Sequence, residues 1–98
     1  MTMTICAARV SLYLDGAQSL KDKRQVVRSL SKRVQNTFNV AVAEIEDLDD
    51  MRVATFGLAC VSNNSAHADA MVATIIAFIE RNVEMGSMGE IETELIHL

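Results

Sequence analysis

Ninety-eight residues, half of them hydrophobic, fill one core and leave no room for a second, so the chain reads as a single domain over 1–98. Aromatic residues are only 4%, which leaves packing to Val, Ile, Leu, Ala and Met, and the net charge of −4 means that any positive surface has to be local. The apolar stretches are short and broken by charge, which excludes a bilayer-spanning helix, and the opening MTMTICAARVSLYL lacks a basic leader, so a soluble cytoplasmic protein is expected.

Residues 3–14 alternate as a strand, with Cys6, Ala8, Val10, Leu12 and Leu14 on one face and Ala7, Arg9, Ser11 and Tyr13 on the other. Asp15-Gly16 marks a turn. Ser19 and Asp22 then have the spacing of a capping box, which predicts a helix over 20–37 with the core face Leu20, Val26, Val27, Leu30, Val34 and Phe38. The β-branched residues Val40, Val42 and Ile45 predict a second strand ending near Glu46, and the acidic stretch 46–50 a hairpin loop. Residues 51–62 alternate again as a third strand, with Ala54, Phe56, Leu58 and Cys60 on one face. Asn63, Asn64 and Ser65 offer N-caps for a helix over about 65–83, with the core stripe Ala68, Met71, Val72, Ile75, Ile79 and Val83. A turn is expected over Gly86–Gly89 and a last strand over 90–97.

This order, βαββαβ, is that of a ferredoxin-like α+β sandwich: a four-stranded antiparallel sheet with two helices on one face. Right-handed crossovers give the strand order 4-1-3-2, with the two most apolar strands in the centre.

Six of the nine basic residues fall in SLKDKRQVVRSLSKR, residues 19–33. At helical spacing, Lys21, Arg24, Arg28 and Lys32 form one exposed line opposite the core face, flanked by Lys23 and Arg33. Asp22 is the only acid of the helix and is committed to its N-terminus, so intrahelical ion pairs do not account for the run. An ordinary solvated face is the simplest account of such a run, but like charges on one line repel, and a stripe kept despite this points to a phosphate-bearing partner. Base stacking has little to work with, since Tyr13 is the sole tyrosine and tryptophan is absent.

Other chemistry is sparse. Cys6 and Cys60 form no CxxC pair, and His67 and His97 lie near neither, so two reduced core cysteines and no metal are expected. Glu90, Glu92 and Glu94 alternate on the last strand as an edge defended by charge. No glycine-rich phosphate loop, nucleophile elbow or cofactor motif occurs, and the chain reads as a non-enzyme without a cofactor. The sheet face away from the helices, with Ala7, Ser11, Thr55, Gly57, Ala59 and Val61, is small and weakly polar enough for a homodimer.

The run Ser19-Leu20-Lys21-Asp22-Lys23-Arg24, followed by Val26-Val27, Phe38-Asn39-Val40, Val42-Ala43-Glu44, Gly57 and Val61-Ser62-Asn63, resembles the YlxP-like family of small bacterial proteins over nearly the whole chain. The resemblance independently implies a ferredoxin-like fold. Family members are often encoded beside a translation initiation factor and a ribosome-binding factor, which implies a role near the ribosome or in ribosomal RNA maturation. Met51 stands where members often carry Trp, Asp50 replaces an apolar residue, and the outer side of helix 2 is poorer in charge. The residues expected to meet RNA or phosphate are Lys21, Lys23, Arg24, Arg28, Lys32 and Arg33, with Ser19 and Asp22 as helix cap. The alternatives are a dimeric protein-interaction module that binds no nucleic acid, and a regulatory domain binding a small anion at Asp15-Gly16-Ala17 and the start of helix 1.

Overall fold

The two most apolar strands, β1 (Thr4–Tyr13) and β3 (Val53–Ser62), form the central pair of the sheet, in register from Thr4 opposite Ser62 to Tyr13 opposite Val53. The computed structural model describes residues 3–98. Its remaining elements are α1 (Leu20–Thr37), β2 (Ala41–Glu46), α2 (Ser65–Asn82) and β4 (Ser87–His97), and the sheet runs β2-β3-β1-β4, antiparallel throughout. This is the ferredoxin-like topology, with both helices on one face.

The core lies between that face and the helices. Cys6, Val10, Leu12 and Leu14 of β1 and Ala54, Phe56, Leu58 and Cys60 of β3 are closed off by Val26, Leu30 and Val34 of α1 and by Ala68, Val72, Ile75 and Ile79 of α2. Phe38 and Phe78 seal one end of the helix pair edge to face, with centroids 5.3 Å apart. α1 packs towards β2, whereas α2 lies mainly over β1 and β3 and reaches β4 less. Among the described residues no helix is long and apolar enough to cross a membrane.

Three boundaries differ from the sequence pattern. β3 begins at Val53, because Asp47 to Arg52 form the hairpin, with Asp47 at φ 61° and its carbonyl accepting from Asp50 N–H. β4 begins at Ser87, so Gly89 is a strand residue and not a turn residue. A Cβ there would meet the Tyr13 ring at 2.6 Å; the glycine is what lets that ring lie across the strand. The turn is confined to Met85 and Gly86, where Met85 takes φ 64° and a Cβ on Gly86 would fall 2.0 Å from the Tyr13 carbonyl oxygen. Close approach of two backbones, and not a left-handed φ, demands this glycine.

β2 carries one irregularity. Ala43 and Glu44 face Gly57 and Phe56 of β3 in register, but Glu46 faces Thr55, so Ile45 is an inserted bulge residue. Its side chain lies over Gly57 on the open face of the sheet.

Candidate nucleic-acid interface

α1 owes its start to local chemistry. Ser19 is the N-cap, with extended backbone, and its hydroxyl accepts from Asp22 N–H at 3.1 Å. The Asp22 carboxylate returns the favour to Gln18 N–H at 2.9 Å, one residue before the position a longer glutamate would reach in a full capping box. Beyond the cap, Val26, Leu30 and Val34 are buried, which fixes the rotation of the helix and the face it shows to solvent.

That face carries Lys21, Arg24, Arg28 and Lys32, all exposed. Among the described residues none of the four makes an ion pair or a side-chain hydrogen bond. From first to last they lie eleven residue steps apart, about 16 Å of helix at 1.5 Å per residue. The line is straight, free of acids and unoccupied by the protein's own groups.

Lys23 does not belong to it. Its side chain is fully buried: the ammonium donates to the carbonyl oxygens of Asp47 and Asp50, the latter at 2.6 Å, and lies 3.0 Å from Glu44 Oε2. Two carbonyl acceptors and one counter-charge surround it, which is the condition for burying an ammonium. Glu44 Oε2 is itself buried and makes no well-directed hydrogen bond, so the ammonium is what neutralises it. The expectation that Lys23 contacts a polyanion is corrected: it ties α1 to the β2–β3 hairpin. Sequence reasoning also missed Glu44. The signal was present, since Lys23, Val26, Leu30 and Val34 fall at spacings of three, four and four along the buried stripe.

Arg33 is intermediate. It is exposed, but its guanidinium donates to Asn82 Oδ1 at 2.6 Å and lies 6.0 Å from the centroid of the Phe78 ring, bridging α1 to the end of α2. It borders the stripe with part of its hydrogen-bonding capacity spent.

The turn before α1 offers a small anion little. Gly16 N–H donates to Met85 O at 2.8 Å, Ala17 N–H to Leu14 O at 3.0 Å and Gln18 N–H to the Asp22 carboxylate. Three successive donors that would form a cradle are already satisfied, and one of them by a negative charge.

On the open face, Arg9 of β1 pairs with Glu46 at 3.3 Å and Glu92 at 3.6 Å, reaching towards both sheet edges. Its neighbours Ala7, Ala41, Ala43, Gly57 and Ala59 floor a shallow depression of about 520 Å³ rimmed by Glu92 and Glu94. The cations are thus concentrated on α1 and the carboxylates on the sheet. Cys6 and Cys60 face each other across β1 and β3, both buried with free thiols; burial raises both pKa values, aided by Asp69 at Cys6 and by Cys6 at Cys60.

The pattern of the family described as "Protein of unknown function (DUF503)" matches residues 5–90. A protein of Bacillus subtilis (strain 168) named "Uncharacterized protein YlxP" is 39% identical over 64 residues, 65% of this chain and 70% of that protein. Among solved structures, a de novo designed protein with ferredoxin fold superimposes with a TM-score of 0.53 at 13% identity, covering 93% of this chain and 86% of the design. This last likeness is one of fold alone.

Proposed function

For a chain that belongs to the family described as Protein of unknown function (DUF503), and is YlxP-like in sequence, we propose a non-enzymatic role in binding RNA or the phosphate backbone of the ribosome through the outer face of α1. What carries the reading is the unbroken line Lys21, Arg24, Arg28 and Lys32, exposed and unpaired on a protein of net charge −4. Arg33 stands at its end. Arginine brings a planar fork to phosphate oxygens and lysine a mobile point charge, and neither needs a base edge. The open sheet face supports no second RNA surface, because its carboxylates Glu46, Glu92 and Glu94 repel phosphate and its one ring, Tyr13, packs over Gly89.

The test is RNA binding and ribosome co-sedimentation by the native chain and by the variant with Lys21, Arg24, Arg28 and Lys32 all changed to Glu. Four phosphate contacts give a log–log salt slope of roughly −3 to −4, abolished in the variant. Binding that ignores salt, or that survives the four substitutions in a folded protein, refutes the proposal.

A second reading, a homodimer through the open sheet face, is favoured by the alanine-floored depression there. A light-scattering mass equal to one chain at high concentration counts against it.

A further inference from the structure

β4 is hydrogen-bonded to β1 on one side and ends the sheet on the other. Met3 and Leu98 exchange both backbone hydrogen bonds, at 2.9 and 2.8 Å. Bonded and non-bonded pairs alternate along an antiparallel ladder, so Ile5–Ile96, Ala7–Glu94 and Arg9–Glu92 are bonded pairs too. The backbone N–H and C=O groups of Ile91, Thr93, Leu95 and His97 consequently point outward from the sheet, a ready template for another strand.

The two faces of that edge differ. Ile91, Thr93 and Leu95 lie opposite Val10, Ala8 and Cys6, on the helix side, where α2 covers β4 less than it covers β1 and β3; Ile91 remains 44% and Leu95 40% exposed. On the open side stand Glu92 and Glu94, with Glu90 beside them. Glu92 meets Arg9, while Glu90 and Glu94 have no cation among the described residues.

We propose that the outer edge of β4 docks an extended segment of a protein partner, added antiparallel as a fifth strand, in which apolar residues alternate with lysine or arginine. Residues opposite Ile91, Thr93 and Leu95 share the helix side and bury those side chains; the residues between them face Glu92 and Glu94 and are basic. Charge selects this occupant over a second copy: β4 paired with itself about Thr93 sets Glu92 against Glu94 twice. Charge on one side of an edge repels the protein's own copies. The exposed Ile91 and Leu95 on the other side give a complementary strand something to bury.

The test uses the full chain, isotope-labelled, titrated with a seven-residue peptide of alternating lysine and valine. The expected result is amide shifts and slowed hydrogen exchange centred on Ile91, Thr93 and Leu95, absent with a glutamate–valine peptide. The Glu90→Gln/Glu94→Gln variant, which leaves the Arg9–Glu92 pair intact, weakens binding about 2- to 10-fold through the lost cross-strand charge pairs. No shift at millimolar peptide overturns the proposal, as do shifts centred on the acidic loop or the open face. Equal binding of a peptide N-methylated on its pairing side, or protection of the same amides on raising protein concentration without peptide, overturns it as well, the latter in favour of self-pairing.

Discussion

Lys23 Nζ and Glu44 Oε2 meet 3.0 Å apart beneath the surface, joining the first turn of α1 to the outermost strand of the sheet. The contact is one strut of three, since the same ammonium holds the carbonyls of Asp47 and Asp50. It makes the helix start and the hairpin tip one mechanical unit.

Removing the cation leaves a buried carboxylate oxygen without its counter-charge and the Asp50 carbonyl without this donor, while the Asp47 carbonyl keeps only Asp50 N–H. Lys23→Met is expected to lower unfolding free energy by about 3–5 kcal/mol in urea titration, the range for breaking one partner of a buried pair. Lys23→Met combined with Glu44→Leu costs less than the sum of the two single changes, because no charge is left stranded. Additive losses would show that the two side chains are not coupled.

Charge reversal on the stripe has the opposite profile. Changing Lys21, Arg24, Arg28 and Lys32 to Glu touches no packed group and is expected to move stability by no more than about 0.5 kcal/mol per site. RNA affinity falls while the thermal midpoint holds. A variant that unfolds would place these side chains in the structure and not at its surface.

Gly86→Ala forces a methyl group into the Tyr13 carbonyl, where backbone stands on both sides. The expected cost is at least about 2 kcal/mol, measured by denaturant unfolding. Gly57→Ala is milder, because its Cβ would meet only the Ile45 side chain, at 3.1 Å, and that chain can turn away.

The thiols of Cys6 and Cys60 keep their protons above the ordinary value of 9.0, because burial opposes the thiolate. A thiol reagent at pH 8 therefore reacts with them only as fast as the chain opens, and in denaturant both react at once. The linkage has a definite sign. The unfolded chain releases these protons near pH 9 and the folded one higher, so the folded chain binds more protons in between and stability falls as pH rises through that window. Rapid native labelling at pH 8 would contradict the burial.

The fold was legible because the core residues of β1 and β3 recur at every second position and both helices repeat at three and four, so periodicity separates helix from strand. Strand order followed from crossover handedness. The stripe was legible as a cluster but not as a surface: Lys21 and Lys23 look alike in sequence, and only rotation about the α1 axis divides them. The partner that makes Lys23 tolerable inside, Glu44, is 21 positions away and comes from a strand whose bulge no local signal announces. Gly89 was misread for a related reason. A glycine in a strand and one in a turn have the same letter, and the Tyr13 ring that distinguishes them arrives from the other end of the chain.

Ile45 changes the parity of β2. In an unbroken strand, Glu44 and Glu46 would stand on the same side. The bulge at Ile45 sends the first carboxylate inward to Lys23 and the second outward to Arg9, so a single edge strand is fastened from above and from below. Flattening the bulge, so that Ile45 took a paired place of its own in the register, would put both carboxylates on one side and strand one of the two cations. Its unpaired place in the register, more than its side chain, is what this residue contributes to the molecule.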